Sequence, residues 1–401
     1  MNWPLVNIDL LRLIVFSFAG ISTAGLFALL PNANIATITT FCFYVQIFAG
    51  LRPSDFALFF CPAVIAALIL NNKPRTKEAE SFTGQGSWAL MFSVMASILI
   101  IFFRHNIAEF IIFFKTSGLL LITILILTVN VLTSSTTVLK AIIPLTIGLS
   151  TAILGPALAI ELPFSPWNTI NLNEGKNLVA VLTGAFIFPA ILSTNSVVHV
   201  PLLQARKNLK ALEFPAILFL IVTGIGISPL SIVLLAILNS ENVNFGAMTT
   251  YESPEATFSI VFCTTIALVI SILLSKKYLS LKRYFQNIYN DNNFEWIYGS
   301  LIFVIFSSTI IYSDLGIEII YFSIFIGIFI TIIKKHHYPV NLFIIGFIYG
   351  NKIENMFKIF LKTGSSFSIR SILFFSFILI FTLLYRIFII KTNYSISNIK
   401  E

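Results

Sequence analysis

The sequence predicts an all-α polytopic membrane protein of about 12 transmembrane helices, counted at roughly 20 residues per crossing, in two pseudo-symmetric halves with interrupted helices. Three observations predict it. The chain of 401 residues is 57% hydrophobic and only 10% charged, whereas soluble domains carry roughly 25% charged residues. The apolar residues fall in long runs separated by short polar stretches. Two of those runs are broken by helix-disrupting residues, at Pro31 and again at Gly224–Pro229, about half a chain apart.

In chain order, Leu13 to Gly50 is almost uncharged and too long for one span. It fits two, parted at Leu30-Pro31-Asn32-Ala33-Asn34. Asp9 and Arg12 flank this first run, which therefore reads as a mature helix and not as a removed signal. The next runs are Phe56–Leu70, Trp88–Phe103, Ile111–Leu132, Ala141–Ile160, Leu178–Leu192 and Phe214–Leu238. Phe258–Leu274, Trp296–Tyr312, Ile317–Ile333, Val340–Gly350 and Ser371–Ile390 complete the series. Val340–Gly350 is too short to span alone; it is either re-entrant or extends toward Leu361.

Charge sets the expected orientation. Basic residues cluster at Lys73/Arg75/Lys77, Lys140, Arg206/Lys207/Lys210, Lys276/Lys277/Lys282/Arg283 and Lys334/Lys335, with two runs between successive clusters. The alternate loops hold Glu161 and Glu174, then Glu241, Glu252 and Glu255, then Asp314 and Glu318. The positive-inside rule puts the basic set in the cytoplasm. The net charge of +8 thus points to membrane topology, and no nucleic-acid partner is expected.

The polar, basic stretch 195–213 is expected to connect a membrane half at 1–194 to a second at 214–401. In the second half, Val222-Thr223-Gly224-Ile225-Gly226-Ile227-Ser228-Pro229 interrupts an apolar run. Pro229 removes a backbone donor and the glycines ease bending. One reading is a proline kink with a packing role. The other is a broken helix at a binding site, a plan of transporters built from repeats. The matching interruption at Pro31 favours the second. Beyond Pro31 and Pro229, half-helix N-termini would present N–H groups to a carboxylate. Asn32, Asn34, Thr223 and Ser228 would add side-chain hydrogen bonds, and carbonyls near Gly224 and Gly226 would suit Na+. A proton is the alternative coupling ion, although no mid-span carboxylate stands out as its carrier.

The remaining polar residues read as structural. Cys42, Cys61 and Cys263 lie in apolar runs without metal or disulfide spacing and are expected as buried free thiols. His336-His337 has too few neighbouring ligands for a metal. His105, beside Arg104, and His199 read as loop residues. Trp167, in a proline-rich loop, reads as an interfacial anchor. Lys352, Lys358 and Lys362, with Glu354, suit a surface helix against lipid headgroups. No Gly-x4-Gly-Lys-Ser/Thr pattern encodes an ATP motor, and no cofactor or catalytic residue is expected.

The order of motifs resembles the TctA-type large membrane subunit, or permease, of tripartite tricarboxylate transporters. Gly20 and Gly25 leading to Leu29-Leu30-Pro31 resemble its glycine-rich approach to a turn. Ala66-Ala67-Leu68-Ile69-Leu70-Asn71 with Pro74 resembles its alanine-rich run, and Gly86, Ala89-Leu90 and Ala96-Ser97 resemble the family's next segment. Lys140, Gly155 and Gly184-Ala185-Phe186 resemble its middle, and Gly224-Ile225 with Ser228-Pro229 its second motif. The ending is similar in Gly327, Lys334-Lys335, Tyr338-Pro339, Gly346, Gly350, Glu354-Asn355 and Gly364. The chain departs from the family at Asn32 and Arg75, where members usually have glycine, and at Gly226-Ile227, where they have Pro-Gly. Its loop between Pro74 and Gly86 is also shorter.

The resemblance implies a multi-pass permease of a bacterial inner membrane. It would be a secondary carrier, a symporter of a di- or tricarboxylate-like organic anion coupled to Na+ or H+. A periplasmic solute-binding protein and a small membrane subunit would be its partners. The substrate-binding residues would be Pro31, Asn32, Asn34, Asn71, Thr223, Gly224, Gly226, Ser228 and Pro229. Two alternatives stay open: a polytopic membrane enzyme such as a glycan polymerase or lipid-linked glycosyltransferase, and a degenerate paralogue that no longer transports.

Overall fold

The computed structural model describes residues 10–29, 35–70, 79–113, 115–134, 137–161, 174–188, 210–288, 293–312 and 318–363, with isolated positions between 372 and 380. Among the described residues the regular structure is entirely α-helical. In chain order the helices are α1 (Leu10–Leu29), α2 (Ile35–Ala49), α3 (Pro53–Leu70), α4 (Ala79–Phe113), α5 (Lys115–Thr133), α6 (Val138–Glu161) and α7 (Glu174–Phe186). Then come α8 (Lys210–Thr223), α9 (Pro229–Ser240), α10 (Ala247–Glu252), α11 (Pro254–Ile288), α12 (Asn293–Tyr312), α13 (Glu318–Lys335) and α14 (Val340–Thr363). Pro31, Asn32, Asn34 and Asn71 lie outside the described residues, as do Trp167, His199 and most of the 195–213 connector.

Among the described residues four helical stretches are long and apolar enough to cross a bilayer: Leu11–Leu29, Pro53–Leu70, Met91–Glu109 and Pro254–Ser275. Their surroundings differ. The Pro53–Leu70 stretch is 83% buried and Met91–Glu109 only 22%. Along α4, Met91, Val94, Met95, Ile98, Leu99, Phe102 and Phe103 are exposed. In water so large an apolar surface would aggregate; against lipid tails it needs no partner. The fold is that of an α-helical membrane protein.

Helix–helix contact in lipid gains little from hydrophobicity and relies on small residues that let backbones approach. The chain packs in two compact units. The first comprises residues 1–109 and 169–332. Here α3 is the central helix, packed against α1, α2 and α11. Gly20 of α1 lies directly against the Phe59 carbonyl, where a Cβ would collide with α3. A part-buried ion pair, Arg12 to Asp55, ties the start of α1 to the start of α3, and Arg12 also donates to Ser54 at 2.9 Å. The second unit comprises residues 110–168 and 333–401. There α6 packs on α14 through Gly148, Gly346 and Gly350, each pressed against the facing backbone or against Ala152. Each unit draws on residues from both sides of the 195–213 stretch.

Several expectations meet the structure directly. Val340–Gly350 is the first part of a continuous helix that runs to Thr363, so the extended alternative holds. His105 is not in a loop; it lies within α4, 3.0 Å from Glu109 one turn on. The cluster Lys276–Arg283 belongs to the last part of α11, which continues past its apolar stretch. Cys42, Cys61 and Cys263 are buried and free.

Candidate functional site

The run Phe214–Leu238 does not form one kinked helix. α8 stops at Thr223, residues 224–228 are non-helical, and α9 begins at Pro229. The local chemistry explains both ends. Gly224 has φ +76°, a left-handed position that glycine adopts without steric cost. Its N–H closes the last turn on Leu220 O at 2.7 Å. Thr223 Oγ1 donates to Phe219 O at 2.7 Å and accepts the Ile225 N–H at 3.2 Å. At the restart, Pro229 occupies the first helical position, where its missing N–H costs nothing. Ser228 is the N-cap, and Ser228 and Ser231 form a reciprocal capping box.

Two contacts show how far the chain turns. Ser228 Oγ donates to Glu213 Oε2 at 2.5 Å. Glu213 sits in the first turn of α8, about 15 Å of helical rise before Thr223. Five residues of extended chain cover about 17 Å, enough to run back along α8 to its beginning. After α9, Gly246 N–H donates to Ile221 O at 3.0 Å, near the end of α8. So α9 starts level with the start of α8, and the chain after it returns level with α8's end. The two helices lie side by side in the same general direction, joined by a stretch that doubles back. Neither a kink nor a collinear break describes this. At about 21 and 18 Å of rise, each helix alone is shorter than a hydrocarbon core of about 30 Å.

Irregular backbone away from water needs its polar groups satisfied by protein. The N–H groups of Gly224, Ile225, Ile227 and Ser228 all have protein acceptors. The C-terminal end of α8 gives Ile221 O to Gly246 N–H and Val222 O to Thr250 Oγ1 at 3.0 Å. Gly246 itself has φ +93° and ψ −167°, a region that is essentially restricted to glycine. A Cβ there would stand 2.9 Å from Gly224 Cα. The stretch 224–228 and the turn 241–246 therefore touch through a pair of glycines.

The N-terminus of α9 does not offer free donors in the way the sequence suggests. Ser231 N–H is taken by Ser228 Oγ at 3.1 Å. The N–H groups of Ile227 and Ser228 are taken by Ser231 Oγ at 3.0 and 2.8 Å. The acid already present is Glu213, which is 5% exposed. It belongs to the first turn of α8 and touches the cap of α9, so it faces the positive ends of two helices. Among the described residues no cation pairs with it.

Of the expected site residues, Thr223, Gly224, Gly226, Ser228 and Pro229 do form one continuous structure. Gly226 is pressed against α9, where a Cβ would stand 3.0 Å from Ile232 Cα. Glu213, Ser231, Gly246 and Thr250 belong to the same structure and were not anticipated. A second polar contact lies at the other end of α9, where Gln46 Nε2 of α2 donates to Glu241 Oε2 at 2.6 Å. A third joins α2 to α7: Tyr44 Oη and Thr183 Oγ1, both buried, lie 2.5 Å apart.

Helices of this length and apolarity define the class as an α-helical membrane protein. No family model, curated protein or solved structure matches the chain.

Proposed function

We propose that the chain is a secondary carrier of a small organic anion, di- or tricarboxylate-like, with the doubled-back stretch 224–228 at its working centre. The observation that supports this reading is that stretch: half-buried non-helical backbone, doubled back along α8 and ending on a helix N-terminus next to a buried carboxyl group. Membrane carriers place irregular backbone at binding sites because helical backbone has no spare polar groups to offer. Glu213 holds the position that a substrate carboxylate would take at the N-terminus of α9. Two buried carboxylates cannot both stay ionised at contact distance. Substrate entry would therefore go with neutralisation or displacement of Glu213, which couples the anion to a cation or proton.

On this reading the chain has about 12 crossings at roughly 20 residues each. The host would be a bacterial inner membrane, and the partners a periplasmic solute-binding protein and a small membrane subunit. The test is uptake of labelled citrate and succinate by cells and proteoliposomes carrying the protein, with and without the products of neighbouring genes. Uptake should collapse in Ser228→Leu and Asn32→Leu and change its pH dependence in Glu213→Gln. Uptake that is unchanged in all three variants removes the proposed site.

A further inference from the structure

The C-terminal end of α9 is the reverse of its N-terminal end. Glu241 is the C-cap of α9, its N–H bonded back to Ile237 O at 3.2 Å. A carboxylate there meets the negative end of the helix dipole, which disfavours its charge. Burial also pushes the Glu241 carboxyl above the usual carboxylate range, and the Gln46 hydrogen bond partly offsets this. Neither α2 nor α9 carries a lysine, arginine or other charged side chain, and among the described residues no cation pairs with Glu241.

Gln46 is itself 7% exposed. Its amide donates one hydrogen bond, to Glu241, while its Oε1 is buried with no hydrogen-bond partner. A buried acceptor left unsatisfied is costly, so this atom calls for something positive or something that donates. Turning the amide over would set oxygen against oxygen at Glu241 and worsen the balance. The place thus holds an amide oxygen without a partner and, beside the same amide, a carboxylate at the C-terminal end of a helix, with the Gln46 N–H as the one side-chain donor to that carboxylate among the described residues.

We propose that Gln46 Oε1 and the Glu241 carboxylate bind a small monovalent metal cation, Na+. Hard oxygen donors select alkali and alkaline-earth ions over transition metals. A single carboxylate balances one positive charge; a divalent ion would leave a net charge in a half-buried place. The site does not depend on what the protein moves. If the carrier reading holds, this is where a coupling Na+ sits, about 18 Å along α9 from Glu213.

The experiment measures Na+ binding on the purified full chain in detergent, without any transported solute. Thermal midpoint is followed as NaCl replaces choline chloride at constant ionic strength and at neutral pH. The wild type should show a saturable Na+-dependent rise. Half-saturation should move ten-fold or more upward in Gln46→Leu, and the rise should vanish in Glu241→Gln. In Gln46→Glu a second carboxylate replaces the amide donor that faces Glu241, and Ca2+ should become a stabiliser at concentrations where it does nothing to the wild type. An equal rise in choline, or a Na+ response retained in both Gln46→Leu and Glu241→Gln, overturns the proposal. Loss of uptake with an intact Na+ response would count against the carrier reading alone.

Discussion

Ser228 has two tasks, and they can be separated in energy. It caps α9, accepting the Ser231 N–H at 3.1 Å, and it donates to the buried Glu213 carboxylate at 2.5 Å. Removing an N-cap serine costs about 0.5–2 kcal/mol. Leaving a buried acceptor without its hydrogen bond costs about 1–3 kcal/mol, and Glu213 has little solvent to replace it at 5% exposure. Ser228→Ala should therefore destabilise the protein by about 1.5–5 kcal/mol, the sum of those two ranges. In a Glu213→Leu background the acceptor is already gone, and the same substitution should cost only the capping share. The expected coupling in the double-mutant cycle is about 1–3 kcal/mol. Reversible unfolding in mixed micelles, with helicity as the readout, gives all four free energies. Additive single effects, within about 0.5 kcal/mol, would mean that the hydroxyl and the carboxylate do not act on each other, and the doubled-back geometry of 224–228 would lose its main support.

The glycine pair gives a second test. Gly246→Ala places a side chain at φ +93° and against Gly224 Cα, for about 1–3 kcal/mol of strain plus about 1–3 of overpacking. Gly50→Ala also takes a positive φ, +58°, but into open space, and should cost about 1–2 kcal/mol; equal losses in the two variants would refute the crossing. Tyr44→Phe should cost about 1 kcal/mol in the same assay. Thr183 Oγ1 already gives its proton to Val179 O at 2.7 Å, so Tyr44 is the donor, and no loss would show that α2 and α7 are not joined there. Glu241 gives a pH dependence in Na+-free buffer. Its folded-state pKa is raised, so its stabilising contribution is complete below the ordinary carboxylate range and is lost as pH rises through the folded value. Glu241→Gln should flatten that decline, and an unchanged slope would place the titration elsewhere.

The membrane class was legible because composition alone excludes a soluble core. The interruption was legible because glycine, serine and proline stand together in an apolar run, each with a known backbone consequence. Its shape was not. The same residues serve a kink, a collinear break or a reversal, and only the Glu213 and Gly246 contacts distinguish them. Glu213 was hidden by its neighbours: with Arg206, Lys207 and Lys210 just before it, it reads as one more connector charge. Its one available signal was position, immediately ahead of Phe214-Pro215 and an unbroken apolar run. Gln46 and Glu241 were hidden for the opposite reason, one as a lone amide in an apolar helix and the other as a loop acid. Gly246 and the packing glycines Gly20, Gly148 and Gly346 depend on what faces them across the chain, which no local pattern records. Around Pro31 the expectation lies outside the described residues, and it stands or falls with the uptake of Asn32→Leu.

The two ends of α9 invite different ions, and the reason lies in one helix. Its peptide dipoles add to roughly half a positive charge at Ser228 and half a negative charge at Ser240. An acidic side chain occupies both ends. At the first, the dipole favours a carboxylate and two serines complete the cap, so the place is taken by the protein's own acid. A substrate anion must compete with Glu213 there. At the second, the dipole disfavours a carboxylate, the Gln46 N–H offsets this in part, and the Gln46 Oε1 is left without a partner. Filling the second end with a cation lowers the cost of negative charge along α9, including the cost of admitting another anion near Glu213. At a separation of about 18 Å the direct effect is small, about 0.9 kcal/mol at an effective dielectric of 20. Any stronger linkage between cation and anion must travel through movement of α9 itself, for which the glycine crossing at Gly224 and Gly246 is the natural pivot. Distorting that crossing, with Gly246→Ala, should weaken the dependence of uptake on Na+ more than it weakens Na+ binding. Parallel loss of both would place the linkage in electrostatics and not in the helix.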